Sequence, residues 1–65
     1  MAIAKVVEVI AEGKTVDDAL KAAVKDASET IRNIKSVYVD GIQAVVEDEK
    51  IAKIRVNAKV TFVVD

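Results

Sequence analysis

Hydrophobic and polar positions change their spacing twice along the chain, and these changes, together with an acidic turn at residues 47–50, divide it into four elements. Residues 3–10 are rich in β-branched side chains and are followed by Gly13, which is typical of a strand. Over residues 15–34 the apolar positions recur every three or four residues, which predicts a helix with one apolar stripe. The stripe consists of Val16, Ala19, Leu20, Ala23, Val24, Ala27, Ile31 and Ile34. Thr15 is placed to cap this helix, with Asp18 at the capping-box position three residues later.

Two further strands are predicted over residues 36–46 and 51–64, joined by an acidic turn at residues 47–50. The last strand alternates apolar and polar residues along almost its whole length. In the strand before it, the pair Asp40-Gly41 interrupts the alternation and predicts a bulge or sharp bend. The element order is therefore β-α-β-β. It predicts a single α+β domain over residues 1–65, with a three-stranded antiparallel sheet curled around one helix.

Apolar residues occur on both sides of the predicted strands, although a single helix can cover only one side of a sheet. Val6 and Ile10 oppose Val7 and Val9 in parity. In the second strand, the two opposing sets are Val37, Val39 and Val45 against Ile42, Ala44 and Val46. The uncovered set must meet another subunit or remain in water, and the edge strands also need protection. We therefore expect a homo-oligomer.

The composition narrows the chemistry that is available to the chain. With no cysteine and no histidine, it has no disulfides, no thiolate or imidazole metal sites and none of the usual nucleophile–base arrangements. A chain of 65 residues is near the lower limit for a self-sufficient core, which again favours association. Its net charge is −1 with both signs interspersed, so we expect neither nucleic acid nor a membrane as a partner. No spacing forces an acid/base pair, so we expect a protein that is not an enzyme.

The N-terminal segment shows no pattern of export or membrane insertion. Lys5 and Glu8 interrupt its apolar stretch, unlike a signal peptide or a membrane-spanning helix. We therefore expect a cytoplasmic protein.

The order of elements and several short segments give the chain a family resemblance. The segments are KVVEV at residues 5–9, DDA at 17–19, ASETIRNI at 27–34 and KVTF at 59–62. In this order and at nearly ungapped spacing, they resemble the dodecins, small flavin-binding proteins that assemble as hollow spheres of twelve subunits. The resemblance covers nearly the whole chain. It implies a homododecameric shell that binds or stores a small molecule, with FMN or riboflavin as the cofactor.

The site that this resemblance implies departs from the family pattern at its aromatic position. Flavin-binding dodecins typically place a tryptophan after the stretch that matches residues 32–35, and its indole stacks on the isoalloxazine rings. That position is Ser36 here, and the chain contains no tryptophan. The polar contact from the last strand is matched by Arg55, a capable hydrogen-bond donor. A lost stacking platform is worth roughly 1–3 kcal/mol, which predicts a flavin site weakened about tenfold to a hundredfold or more.

Other residues near this position allow more than one interpretation. Tyr38 shares the strand parity of the serine and is either a displaced stacking platform or an aromatic residue at the core edge or at an interface. Lys53, Arg55 and Lys59 share one face of the last strand. With Lys5 nearby, they form either a cradle for an anion or a solvated sheet face.

The acidic turn is the basis of an alternative function. Its adjacent carboxylates, at residues 47–49, are of a type that binds a hard cation such as calcium, although the EF-hand spacing is absent and such runs are usually solvated. We predict no metal site there. Glu49 also replaces a glycine that the family often has in this turn. The alternative to a flavin-binding store is therefore a structural or ion-binding dodecin-like assembly that does not bind flavin.

Overall fold

A computed structural model describes residues 3–64, so residues 1, 2 and 65 of the predicted domain lie outside the described residues. Its four elements, in chain order, are β1 (Ile3–Gly13), α1 (Val16–Ser28), β2 (Ile34–Glu47) and β3 (Lys50–Val64). Strand β3 is central and pairs antiparallel with β1 on one side and β2 on the other. The predicted β-α-β-β order, with one helix on a three-stranded antiparallel sheet, is confirmed.

Helix α1 begins where the sequence predicts. The Oγ1 atom of Thr15 accepts a hydrogen bond of 3.0 Å from the backbone N–H of Asp18. Asp17 and Asp18 lie in the first turn, where the helix dipole favours negative charge. Asp17 also pairs with Lys21 one turn further on, at 3.1 Å, and this hydrogen bond raises the pKa of Lys21. The start of the helix is therefore fixed by its own side chains.

The predicted extent of the helix, residues 15–34, was wrong at its C-terminal end. The N–H of Ile31 still donates to the carbonyl of Ala27, at 2.9 Å, but Asn33 has a φ of 62°. A residue in the left-handed region does not continue a right-handed helix, so α1 ends at Ser28 and β2 begins at Ile34. Within residues 3–64, no helix is both long enough and apolar enough to cross a membrane.

Strands β2 and β3 are joined by a two-residue turn. Glu47 pairs with Lys50, and Asp48 and Glu49 between them have φ values of 51° and 64°. Positive φ at both central residues is characteristic of the type I′ turn that closes two-residue hairpins. Both strands therefore extend one residue closer to the turn than the predicted ranges, 36–46 and 51–64.

Strand β2 contains the irregularity that Asp40-Gly41 predicts. Its register with β3 shifts between Val39 and Gly41, so β2 has one extra residue there. Apolar residues on the two sides of this shift consequently face the same side of the sheet. These residues are Val37, Val39, Ile42 and Ala44. The sequence predicted that Val37 and Val39 face the opposite side of the sheet from Ile42 and Ala44, and this was wrong. Odd and even positions predict the facing only in a strand without an extra bulged residue.

The core lies between α1 and the sheet and is built from small side chains. The buried apolar residues within 3–64 are Ala19, Ala23, Ala27, Val56, Ala58 and Val60. The three alanines are four residues apart, so one face of α1 lies against the alternate residues of β3 that point toward it. Helix α1 contacts β1 and β3 more than β2. At the start of α1, Gly13 allows a close approach, because a Cβ atom there would lie 2.7 Å from the backbone nitrogen of Ala19.

The chain is elongated, and the helix leaves much of the sheet uncovered. Its extents are 51 × 19 × 14 Å, and its radius of gyration is 13.4 Å against about 11 Å for a compact chain of this length. The accessible surface is 4932 Å², about 900 Å² more than a compact monomer of this mass exposes. Val6 and Ile10 are exposed on the side away from the helix, and Ile42 is exposed on the other side. Val46 and Ile51 are exposed beyond the end of β1.

Candidate ligand-binding face

The sheet face turned away from α1 carries all three predicted site residues. The even-numbered residues Val56 and Val60 of β3 are buried under the helix. The odd-numbered residues of β3 from 53 to 61, and the residues paired with them, therefore point to the other side. This surface is termed the open face. It carries Ser36, Tyr38 and Arg55.

On a single chain, these three residues are widely separated along the open face. Ser36 pairs with Thr61, which is six residues from Arg55, or about 20 Å at ~3.3 Å per residue. Tyr38 pairs with Lys59, four residues or about 13 Å from Arg55. A planar three-ring ligand that lies against Ser36 therefore does not reach Arg55 of the same chain.

Ser36 and Tyr38 both present their side chains to solvent. Ser36 follows a second register shift between β2 and β3. The sequence predicted it as the first residue of this strand, but it is the third residue of β2. Tyr38 has 63% of its surface exposed. Tyr38 therefore has no core role within one chain, and the interpretations that it contacts a neighbouring subunit or a ligand stay open.

Arg55 is held by a carboxylate of strand β1. Its Nε donates to Oε2 of Glu12 at 2.8 Å, and its Nη2 lies 2.7 Å from the same oxygen. Lys53 donates from Nζ to Oε1 of Glu12 at 3.1 Å. These hydrogen bonds, first from Arg55 and then from Lys53, lower the pKa of the Glu12 carboxyl from its ordinary value of 4.5. Glu12 was not predicted as a site residue from the sequence, because only the β1–β3 register places it opposite Arg55.

The other predicted cations do not converge on one site. Lys59 lies between two carboxylates, with its Nζ 3.9 Å from Oε1 of Glu8 and 3.9 Å from Oδ2 of Asp40. Lys5 pairs with Phe62 and lies on the helix side of the sheet, so its predicted place beside the other cations was wrong. The cations of the open face each contact a carboxylate, and the face therefore has a mixed charge rather than a positive cradle.

Two depressions in the surface of residues 3–64 are lined by residues other than the predicted ones. One, of about 280 Å³, is lined by Glu8, Val9, Ile10, Asp40, Asn57 and Ala58. The other, of about 320 Å³, is lined by Thr30, Ile31, Arg32, Asn33, Phe62, Val63 and Val64. Neither includes Ser36, Tyr38 or Arg55. The predicted residues thus lie on an open surface in one chain.

Residues 3–64 contain no cluster of metal-binding side chains. No three carboxylates in this part of the chain are grouped so that they could hold a metal ion. This result includes the acidic turn at residues 47–49. The turn therefore has no preformed cation cage in the single subunit.

These features define a class of protein: a small α+β chain with one helix on one face of a three-stranded antiparallel sheet and the other face uncovered. The sequence profile of the Dodecin family matches residues 3–65. The chain therefore belongs to the dodecin family. Dodecins are non-enzymatic proteins that bind flavins in general, and their members form homo-oligomeric dodecamers.

Solved structures show the same fold. Dodecin from Streptomyces coelicolor superposes with a TM-score of 0.92 at 29% identity, over 98% of this chain and 93% of that chain. Dodecin from Streptomyces davaonensis gives a TM-score of 0.92 at 26% identity, over 98% and 96% of the two chains. A variant of T. thermophilus dodecin gives 0.93 over 100% and 97%, and at 21% identity it supports the fold alone. No significant match was found among curated protein sequences.

Proposed function

We propose that this chain forms a cytoplasmic dodecin-like homo-oligomer, a dodecamer, that binds and stores flavin at weakened sites between subunits. One observation carries the proposal. Ser36 and Arg55 share the open face but lie about 20 Å apart along it, so a site that uses both positions needs more than one copy of the chain. Family membership supplies the ligand class. The exposed apolar residues on both sides of the sheet supply the reason for association.

The proposed roles follow from the side chains on the open face. Arg55 donates to the polar edge of the ring system, because the Nη1 side of its guanidinium points away from Glu12. Ser36 lies at the ring face but cannot stack. Tyr38 is exposed on the same face about 7 Å from Ser36, and its ring offers a displaced platform. We expect FMN and riboflavin to bind at least about tenfold more weakly than at a site with a stacked indole.

Replacement of the serine tests both the site and its weakness. With Ser36→Trp, we expect riboflavin and FMN to bind about tenfold to a hundredfold more tightly than with the wild type, because an indole face replaces a hydroxyl. The measurement is quenching of flavin fluorescence during titration with protein. Ser28→Trp is the control, because Ser28 lies on α1 and exposes an indole away from the open face. If neither the wild type nor Ser36→Trp quenches either flavin at micromolar concentrations, the flavin function is overturned.

The second candidate is a structural or ion-binding assembly that keeps the shell and binds no flavin. It is favoured by the pairing of Arg55 with Glu12, which already occupies part of the guanidinium. A melting temperature that rises with calcium or with phosphate, without any flavin quenching, would favour this candidate. Native mass spectrometry of protein purified without added ligand would report the number of subunits and any retained small molecule together.

A further inference from the structure

The ion-paired cluster of Glu12, Arg55 and Lys53 gives a role to a residue outside the predicted site. We propose that Glu12 is a positioning residue: its carboxylate fixes the guanidinium of Arg55 so that the unbonded N–H groups face the polar edge of a flat heteroaromatic ligand. Glu12 itself does not touch the ligand. This inference rests on the proposed flavin function, because it concerns the same arginine and the same ligand.

Glu12 contacts Arg55 through a single carboxylate oxygen. Nε and Nη2 of Arg55 both approach one oxygen, Oε2, at 2.8 and 2.7 Å. Both contacts use the same edge of the planar guanidinium. The hydrogens of Nη1 and the second hydrogen of Nη2 point away from Glu12. The carboxylate therefore orients Arg55 without using up its donors.

Glu12 is itself held in place by a second cation, Lys53. Its other oxygen, Oε1, accepts a hydrogen bond of 3.1 Å from Nζ of Lys53. Glu12 also lies directly opposite Arg55 in the β1–β3 register, so the backbone fixes the distance between them. The side chains of all three residues keep between 36% and 39% of their surface exposed, which leaves the cluster accessible to a ligand.

The fixed position of the Arg55 guanidinium affects how tightly a ligand binds. A long side chain that is already fixed loses less conformational freedom when a ligand arrives, which favours binding by about twofold to tenfold. The charge of Glu12 also offsets one of the two neighbouring positive charges. Removal of that charge therefore frees the Arg55 side chain and weakens the binding of every flavin. It also leaves the site more positive, which strengthens the attraction for FMN, because FMN carries a phosphate. Neutral riboflavin should lose more affinity than FMN.

The test compares two variants in the Ser36→Trp protein, in which flavin binding is expected to be strong. Glu12→Gln removes the positioning charge and keeps the shape of the side chain. Glu8→Gln is the matched control, since Glu8 is on the same strand and the same face but contacts Lys59 at 3.9 Å instead of Arg55. For Glu12→Gln we expect riboflavin affinity to fall about twofold to tenfold and the preference for FMN to rise. For Glu8→Gln we expect riboflavin affinity to stay unchanged. Native mass spectrometry checks that both variants keep the same assembly.

The outcomes separate this inference from the function on which it rests. Unchanged riboflavin affinity in Glu12→Gln, or tighter binding because Glu12 competes with the ligand, would overturn the positioning role and leave the flavin function intact. Absence of flavin binding by both the wild type and Ser36→Trp would overturn the function instead. Crystal structures without ligand then decide the role of Glu12. One rotamer of Arg55 in the wild type and several in Glu12→Gln would support it, and one shared rotamer would overturn it.

Discussion

Two residues in the turn between β2 and β3 adopt backbone conformations that most side chains avoid. Asp48 has a φ of 51° and Glu49 a φ of 64°. Aspartate is enriched in the left-handed region, because its short side chain bonds the local backbone, whereas glutamate is not. The strain at this turn is therefore concentrated at Glu49, where the family often has glycine.

Glu49→Gly should increase the free energy of unfolding by about 1 kcal/mol. Relief of a left-handed conformation worth about 1–2 kcal/mol outweighs the greater freedom that glycine gives the unfolded chain. Urea denaturation at one fixed protein concentration measures this change. Asp48→Gly is the control and should give a smaller increase. A decrease in stability for Glu49→Gly would contradict the assignment of strain to this residue.

The ion pair of Glu12 should make the stability of the protein depend on pH in the acidic range. Because the pKa of Glu12 is lower in the folded state than its ordinary value of 4.5, its contribution is fully present above that value. The contribution is lost as the pH falls through the lowered pKa. Glu12→Gln should therefore be less stable than the wild type at neutral pH, and the difference should shrink as the solution is acidified.

Urea denaturation of both proteins between neutral and acidic pH measures this difference. Glu8→Gln is the comparison, since the contact of Glu8 with Lys59 is longer, at 3.9 Å, and should give a smaller difference. A constant gap between Glu12→Gln and the wild type at all pH values would show that the pair does not stabilise the fold through the charge of Glu12.

At the scale of elements, the junction between β1 and α1 depends on one glycine. A Cβ atom at Gly13 would lie 2.7 Å from the backbone nitrogen of Ala19 and 2.9 Å from Cβ of Asp18. The first of these atoms belongs to the backbone of the helix and cannot move alone. The glycine therefore sets how closely α1 can return onto the sheet.

Gly13→Ala should lower the free energy of unfolding by about 1–3 kcal/mol, because the added methyl group forces the helix start away from the sheet. Thermal or urea denaturation measures the loss. Gly41→Ala is the matched control, since a Cβ atom there would make only ordinary contacts with Asn57, at 3.6 Å from Nδ2 and 4.0 Å from Cβ. Equal losses in the two variants would show that the close approach at Gly13 is not what matters.

The elements that the sequence predicted well are those set by local chemistry. Thr15 and Asp18 define the start of α1, and the alternation of β3 identifies its buried face. The end of α1 was missed because Ile31 and Ile34 continue the apolar spacing, although Asn33 has already left the helical conformation. The facing of β2 was missed because a bulge reverses parity without any change in apolar content.

At the scale of the whole molecule, the subunit has exposed apolar residues that its own helix does not reach. Val46 and Ile51 pair with each other beyond the end of β1, and their side chains are 60% and 66% exposed. Exposed apolar surface of this kind in a small chain is characteristic of association. We expect copies of the chain to cover it.

Ile51→Lys should therefore lower the number of subunits in the assembly, because a charge would be placed against an apolar neighbour. Native mass spectrometry or light scattering at a fixed concentration measures the change. Glu29→Lys is the control, because it changes charge at an exposed polar position at the end of α1 and removes no apolar side chain. An assembly of unchanged size in Ile51→Lys would exclude this end of the hairpin from the contacts between copies.

The candidate site was less predictable than the fold. The resemblance pointed to Ser36 and Arg55, and the structure places both on the open face. It could not show that they lie about 20 Å apart, because that distance follows from the register of β2 with β3. The register of β1 with β3 likewise brings Glu12 to Arg55 across 43 residues of sequence. Pairings this distant in sequence leave no local pattern.

The wide spacing of Ser36 and Arg55 on each strand has a consequence for how the particle would fill and empty. A small molecule that contacts both positions would bridge two copies of the chain, so ligand binding and association of the copies would be thermodynamically linked. Dilution of the protein would then release bound ligand even if the concentration of free ligand were held constant. A cell that made more of this polypeptide would thus raise the apparent affinity for the ligand as well as the number of binding sites.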